Sequence, residues 1–349
     1  MLSTKDLITL AKVTANANPN STTAYSFGED KFSYSQLNAT FVKELNELAG
    51  DYASFRANKN TVFSLIEETF DDILPKKVMD AYSQFAEIKV FAQGDKPIFT
   101  NRITAASRRR AKQFITKVGL AGRYEVFKLD GASYEVPTGA IGGAAQIGLE
   151  EMLDGRITLA DVLDIVMEGI DEVIYQEIAK ALIGMVSSLG TQNYAEVNGF
   201  DEKVMDHLLS VADAYGRATI YCTFEFAATM IPADGRFSDG MKEQLWSNGY
   251  LGSYKQHQVI VLPQSFTDET NSQKVIDPAY AWIIPSGADK VVKIAFEGQT
   301  LVRDVENEDW SREVQLYKKV GVAAIASNNV CVYKNTALTT EVKNPANAD

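Results

Sequence analysis

Few residues in this sequence are of a type and spacing that could carry out chemistry. The only two histidines, His207 and His257, lie far apart, and neither is at a metal-ligand spacing. The chain also lacks His-Glu-x-x-His, paired Cys-x-x-Cys, Gly-x-x-x-x-Gly-Lys-Ser/Thr and Gly-x-Ser-x-Gly. The usual signals of zinc, phosphate-loop and serine-hydrolase chemistry are therefore missing. We predict no catalytic residue, no metal site, no cofactor and no enzymatic activity.

One glycine-rich segment could in principle cradle a phosphate group. It runs from Gly139 to Gly148 and reads Gly-Ala-Ile-Gly-Gly-Ala-Ala-Gln-Ile-Gly. It does not have the order Gly-x-Gly-x-x-Gly, and no acidic residue follows about 20 positions later in a strand. The segment is more typical of a flexible hinge, because glycine gives the backbone conformational freedom. The predicted hinge residues are Gly139, Gly142 and Gly143.

Charge is unevenly distributed along the chain. The 349 residues include 34 basic and 46 acidic ones, a net charge of −12. Residues 101–124 reverse this balance, because they contain no Asp or Glu at all. A solvated basic face is the commonest explanation of such a run, and a docking surface for an acidic partner is the functional one. The basic residues are Arg102, Arg108, Arg109, Arg110, Lys112, Lys117 and Arg123.

The strongest periodic pattern lies in residues 157–186. Apolar residues recur there at steps of three and four, which predicts a helix of about 28 residues and about 42 Å. Thr158 is a suitable N-cap, and Lys180 is the one basic residue along the helix. The acids fit a solvated or partner-facing surface better than a pair of catalytic carboxylates. They are Asp161, Asp164, Glu168, Asp171, Glu172 and Glu177.

The remaining elements have to position these two charged segments. Polar residues 1–60 predict two helices capped by Ser3 and Ser35, and Asp130-Gly131 between alternating runs predicts a hairpin. Residues 199–290 alternate helix and strand patterns, and residues 290–335 read as strands throughout. We find no targeting signal and no uncharged apolar run of membrane-spanning length. Two cysteines cannot form a disulfide framework, and they suit a reducing compartment.

The linear order of these segments resembles the major capsid protein of tailed bacteriophages, the Hong Kong 97-type fold, in the α+β class. Four stretches carry the resemblance: Tyr124–Gly148 as the returning arm of an extended loop, Ile157–Ser187 as a spine helix, Gly249–Pro263 as an axial-domain turn and strand, and Lys290–Tyr333 as closing strands. The implied division is an N-terminal arm (1–60), the start of a peripheral domain (61–97), an extended loop (98–148), the spine helix within the peripheral domain (149–198), an axial domain (199–289), closing strands of the peripheral domain (290–335) and a disordered tail (336–349).

The resemblance implies a shell subunit that assembles as hexamers and pentamers into an icosahedral phage head. The shell would enclose double-stranded DNA without binding a specific sequence, and the low pI of 4.8 fits enclosure rather than phosphate neutralisation. A scaffolding protein and a portal protein are the implied partners, a decoration protein is an optional one, and no membrane is involved. The implied location is the virion, after assembly in the host cytoplasm.

In this family the extended loop lies across the neighbouring subunit, near its spine helix. The basic segment 102–123 is therefore expected to meet the acidic helix face 161–177 of the next subunit.

Two other functions stay open at this point. An encapsulin-type nanocompartment shares the fold and would hold an enzyme cargo in place of DNA. A soluble α/β enzyme that binds its ligand at residues 139–148 is the alternative from a different class.

Overall fold

The structure is a computed structural model. It describes residues 3–15, 17, 24–28, 30–50, 52–100, 133–147, 159–231, 238–286, 290–306, 312–325 and 329–341. Its contacts divide the chain into two compact units, which are described separately below. The first unit comprises Met1–Pro97, Val136–Tyr175 and Ile294–Val322, and the second comprises Ile98–Glu135, Gln176–Lys293 and Ala323–Asp349.

The described chain contains helices and strands that come largely in separate runs, which confirms the α+β class. The helices are α1 (Thr4–Ala15), α2 (Tyr34–Ala49), α3 (Tyr52–Tyr82), α4 (Leu159–Val186), α5 (Glu202–Asp213), α6 (Phe224–Thr229) and α7 (Asp239–Asn248). The strands are β1 (Tyr25–Phe27), β2 (Asp30–Phe32), β3 (Ala86–Phe91), β4 (Ile98–Thr100), β5 (Ser133–Glu135), β6 (Gly139–Ile147), β7 (Tyr194–Val197), β8 (Ala218–Cys222), β9 (Ser253–Tyr254), β10 (His257–Val261), β11 (Tyr280–Pro285), β12 (Val292–Glu306), β13 (Arg312–Ala324) and β14 (Cys331–Asn335).

In the first unit, α1 and α2 pack against α3 and against each other. Leu10 on α1 and Leu37 on α2 are almost completely buried, as is Leu74 on α3. The helices of the predicted N-terminal arm, residues 1–60, thus bury their apolar stripes against α3 within the same unit.

The N-terminus of α2 corrects one expectation. The N-cap is Ser33, not Ser35, and its hydroxyl accepts from the backbone N–H of Gln36 at 3.4 Å. The Gln36 side chain in turn accepts from the Ser33 N–H at 3.0 Å, which completes a capping box. Ser3 caps α1 as predicted, because the Asp6 N–H donates to its hydroxyl at 3.3 Å.

A four-stranded sheet in the order β3-β12-β13-β6 completes the first unit. Strands β13 and β6 are antiparallel over nine residue pairs, from Arg312 opposite Ile147 to Val320 opposite Gly139. The sequence pattern divides β12 into two strands around Gly298, but the structure continues through this glycine as one strand. Gly298 has a φ of 68°, a conformation that glycine adopts without strain.

The second unit is built on a six-stranded sheet in the order β7-β14-β11-β8-β10-β9. Its centre is antiparallel, with Trp282 on β11 opposite both Val332 and Tyr221. Strand β7 pairs in parallel with β14, and β10 pairs in parallel with β8 and antiparallel with β9. Helix α5 packs its buried face, which includes Met205 and Leu208, into this core. Both cysteines of the chain, Cys222 on β8 and Cys331 on β14, are free and completely buried there.

The end of the chain differs from the prediction in two ways. Strand β14 belongs to the six-stranded sheet of the second unit and does not extend the sheet that contains β12 and β13. Residues 336–341 are ordered, because Leu338 packs against the second core and the Thr340 carbonyl accepts from the Lys274 N–H at 3.2 Å. The rest of the predicted disordered tail lies outside the described residues.

Candidate functional site

Helix α4 carries the acidic face that the sequence singled out. Its buried stripe is Ile170, Ile174, Ile178 and Leu182, which step by four as the periodicity predicted. Glu168 and Glu172 are exposed on the opposite side, where they are available to a partner. Glu177 is half-buried, and its carboxylate accepts from the Lys180 ammonium at 2.8 Å within the helix.

Asp171 lies in a different environment from the other acids of α4. It is half-buried, and its carboxylate is 3.9 Å from the ammonium of Lys77 on α3. Burial raises the pKa of Asp171, and the nearby Lys77 charge opposes that rise. Tyr82 and Tyr175 stack beside it with ring centroids 5.9 Å apart, and burial raises the pKa of both phenols. Asp171 thus belongs to the packing of α4 on α3 within the first unit.

The other charged residues of the predicted interface lie partly or wholly outside the described residues. Asp161 and Asp164 lie within helix α4, and their side chains are outside the described residues. The seven basic residues of segment 102–123 lie outside the described residues altogether, as does the first strand of the hairpin predicted around Asp130-Gly131. The second strand of that hairpin is β5, and its partner is β4, with Phe99 opposite Tyr134.

The glycine-rich segment, where the sequence predicts hinge residues, forms strand β6. Gly139, Gly142 and Gly143 are all part of β6 and lie in register with β13. A Cβ atom added at Gly142 would lie 2.7 Å from the Leu316 carbonyl oxygen, so glycine is needed there for the close approach of the two strands. Because this segment is an extended strand paired with β13, its backbone does not form the turn at a helix N-terminus that a phosphate cradle uses.

A buried ionic network that sequence reasoning missed joins α3 to the sheet of the first unit. The ammonium of Lys318 on β13 is 2% exposed and lies 2.6 Å from the carboxylate of Asp71 on α3. It also donates to the Gly298 carbonyl at 2.8 Å. The same carboxylate accepts from the backbone N–H and the hydroxyl of Thr300. Charge-assisted hydrogen bonds to a buried ammonium fix the position of the helix on the sheet.

A second network holds a buried carboxylate in the same unit. Glu297 on β12 accepts from the Lys319 ammonium at 3.1 Å, from the Gly94 N–H at 3.2 Å and from the Thr138 hydroxyl. These donors stabilise the ionised form, so the pKa of Glu297 lies below its ordinary value, with the Thr138 hydrogen bond as the largest cause. The adjacent lysines Lys318 and Lys319 thus stabilise two different contacts of β13.

Neither network contains the cluster of ligand side chains that a metal site requires. In the described part of the chain, no group of His, Cys, Asp and Glu side chains is arranged to hold a metal ion. None of the helices within the described ranges is both long and apolar enough to cross a membrane.

Comparison with protein families identifies the chain. A sequence model described as "SPbeta prophage-derived putative capsid protein YonB" matches residues 10–334. The chain belongs to the YonB capsid protein family. This membership confirms the expected shell protein of a phage capsid, which is a structural component of the virion, and it covers both compact units. A comparison with curated protein sequences gave no match.

A comparison with solved structures gave matches at low identity. A phage-related protein from Bordetella bronchiseptica RB50 matches with 12% identity and a TM-score of 0.47, over 76% of this chain and 94% of the other. The head structure of Helicobacter pylori bacteriophage KHP40 matches with 13% identity and a TM-score of 0.47, over 73% and 91%. The SrpI encapsulin of Synechococcus elongatus PCC 7942 matches with 11% identity and a TM-score of 0.41, over 72% and 86%.

Proposed function

We propose that this YonB-family chain is the major head subunit of a tailed phage and forms hexamers and pentamers in an icosahedral shell of Hong Kong 97 type. The family match over residues 10–334 is the observation that carries the proposal, because it spans nearly the whole chain. Assembly takes place in the host cytoplasm with a scaffolding protein and a portal protein, and a decoration protein is an optional addition. The subunit has no enzymatic activity.

The shell encloses double-stranded DNA without gripping it. A net charge of −12 per subunit supports this part of the proposal, because hundreds of acidic subunits repel phosphates weakly and leave the DNA free to move during packaging and ejection. The repulsion is short-ranged at physiological salt, where charges more than about 8 Å apart are largely screened.

The experiment that tests this proposal is electron microscopy and nucleic-acid analysis of particles purified from cells that express the chain with its neighbouring head genes. Closed shells that contain double-stranded DNA are the expected result. Closed shells that contain an enzyme and no DNA would favour an encapsulin-type compartment instead. A protein that remains monomeric under all of these conditions would contradict both kinds of shell.

The interface in this proposal pairs the basic loop of one subunit with the acidic face of α4 on the next. Glu168 and Glu172 support this pairing because they are exposed, whereas Asp171 is directed to Lys77 in its own subunit. Each exposed pair contributes only about 0–1 kcal/mol. Many such pairs in a shell set the register between subunits and still let wrongly placed subunits leave.

The pairing is tested by charge reversal. The triple variant Arg108→Glu/Arg109→Glu/Arg110→Glu is expected to lower the yield of shells, and adding Glu168→Lys and Glu172→Lys is expected to restore it. The matched control reverses three exposed lysines outside the loop, Lys5, Lys31 and Lys203, and should leave the yield higher than the arginine variant does. Wild-type yield from the triple arginine variant would refute the pairing and leave the shell function intact.

A further inference from the structure

An aromatic surface on the second unit is not explained by the fold of that unit. Trp246 on α7 is 93% exposed, although tryptophan is the side chain with the most apolar area to bury. Phe224, the first residue of α6, is 49% exposed, and Tyr250, two residues after the end of α7, is half-buried against the core of this unit. We refer to these three residues near the end of α7, of which Trp246 and Phe224 are exposed, as the aromatic surface.

The aromatic surface is held in a defined shape by the end of α7. Gly249 closes the helix with a φ of 75°, and its N–H donates to the Leu245 carbonyl at 2.9 Å. A Cβ atom at Gly249 would lie 2.9 Å from the Phe224 ring, so the absence of a side chain lets this ring lie against the helix end. The ring of Phe224 meets the ring of Tyr250 edge to face, with centroids 6.2 Å apart and an interplanar angle of 89°.

Helix α7 does not contribute a side chain to the hydrophobic core of its own unit. It has no buried residue, yet it is well capped, with the Ser238 hydroxyl accepting from the Met241 N–H. An isolated helix of 10 residues is marginal in water without tertiary packing. A capped helix that places a tryptophan in solvent is therefore positioned to pack against something outside the isolated chain.

We propose that the aromatic surface is a contact between copies of this chain in the assembled shell, with Trp246 as its main anchor. The proposal rests on the proposed shell function. It commits to a second copy as the occupant because the chain belongs to a capsid family, in which each subunit has identical chains for neighbours. Tryptophan is the residue type most enriched among the anchors of protein interfaces, and such anchors are surrounded by contacts that exclude water.

A ring of subunits uses a head-to-tail contact, in which one patch meets a different patch on the next copy. Trp246 is accordingly expected to enter a site on its neighbour and not to meet the Trp246 of that neighbour.

Tryptophan fluorescence tests the proposal directly. The chain has three tryptophans, and Trp282 is 1% exposed, so a Trp310→Phe variant leaves Trp246 as the one that acrylamide can readily quench. Quenching is measured on dissociated subunits and on closed shells of this variant. The expected result is strong quenching in subunits and weak quenching, with a blue-shifted emission, in shells. Closed shells with unchanged quenching would overturn the proposal and leave the shell function standing, whereas failure of the Trp310→Phe and wild-type chains to form any shell would overturn both.

Mutation provides the second test. Trp246→Ala is expected to leave the melting temperature of dissociated subunits unchanged, because the side chain is exposed there, and to raise the subunit concentration needed for assembly about tenfold. Trp246→Phe should recover part of the loss, and Gln244→Ala, an exposed residue on the same helix, serves as the control. Assembly of Trp246→Ala at the wild-type concentration would contradict the proposal. Protection of Trp246 only while scaffolding protein is present would assign the surface to that protein and would equally contradict it.

Discussion

At the scale of single residues, two neighbouring aspartates on α3 are in contrasting situations. Asp71 contacts the buried ammonium of Lys318, which is 2% exposed, and also binds Thr300. Asp72 pairs at 2.6 Å with Lys76, whose side chain is 52% exposed and lies one turn along the same helix. The distance between the ammonium nitrogen and the carboxylate oxygen is 2.6 Å in both ion pairs, but only the lysine of the Asp71 pair is inaccessible to water.

The two aspartates are therefore expected to respond differently to truncation. Asp71→Ala leaves the Lys318 charge buried without a carboxylate, which should lower the free energy of unfolding by about 3 kcal/mol. Asp72→Ala removes an exposed helix pair and should cost less than about 1 kcal/mol. Urea unfolding of dissociated subunits measures both values. Equal losses in the two variants would show that the Lys318 contact does not stabilise the unit.

Glu297 gives the first unit a defined response to acid. Its pKa is lower in the folded chain than in the unfolded chain, so its contribution to stability is complete above the unfolded value and disappears as the pH falls through the folded one. We expect the urea midpoint of wild-type subunits to fall between about pH 6 and about pH 3, and to fall less in Glu297→Gln. Thr138→Val removes the first of its donors and should show an intermediate dependence. An identical pH dependence in all three proteins would argue against this assignment.

These residue-scale contacts could not be read from the sequence. Lys318 and Lys319 are adjacent and chemically identical, and only the alternation of β13 decides which one is buried. Their carboxylate partners are far away in the chain, on α3 and β12. The exposure of Trp246 could not be read from the sequence either, since apolar residues of a surface helix ordinarily point inward.

At the scale of elements, local patterns predicted most helices and strands but not their partners. The period of α4 is long and regular, so its bounds were close to correct from the sequence. Helix α3 continues through Pro75, although proline ordinarily ends or kinks a helix, because packing of α3 against α1 and α2 offsets the lost backbone hydrogen bond. Strand β6 was missed since its glycines have low strand propensity, and the close approach of β13 that requires them is not a local property.

The close approach in the β6–β13 pair leads to a prediction at this scale. Gly142→Ala places a Cβ 2.7 Å from the Leu316 carbonyl and should lower the free energy of unfolding by about 1–3 kcal/mol, because the strands have to separate. Gly139→Ala is the matched control on the same strand, where the nearest atom is 4.0 Å away and the cost should be small. Thermal unfolding of both variants measures the difference. A Gly142→Ala variant as stable as Gly139→Ala would mean that the strands are not so close in solution.

At the scale of the whole molecule, membership of a capsid family and the proposed enclosure of DNA together account for the composition of the chain. The capsid family accounts for a chain with no catalytic motif, and the enclosed DNA of the proposed head accounts for a low pI in a protein associated with nucleic acid. The order of segments along the sequence was enough to indicate the family. It was not enough to place β14, which belongs to the second sheet although it follows a stretch that reads continuously as strands.

The two buried cysteines determine how the assembled particle reacts with thiol reagents. Burial raises the pKa of Cys222 to about 12 and that of Cys331 to about 11, so neither thiol ionises at neutral pH. We predict that N-ethylmaleimide labels neither cysteine in native particles and labels both in urea, as counted by intact-mass spectrometry. Labelling of native particles within minutes would contradict the burial of these residues.

A shell with this property does not change its cross-linking when it leaves a reducing cell for an oxidising medium, because the thiolate is the form that reacts. The same feature makes the particle a convenient carrier. A single cysteine introduced at an exposed position would be the one reactive thiol of each subunit, so dyes or peptides could be attached at a known site and in a known number of copies.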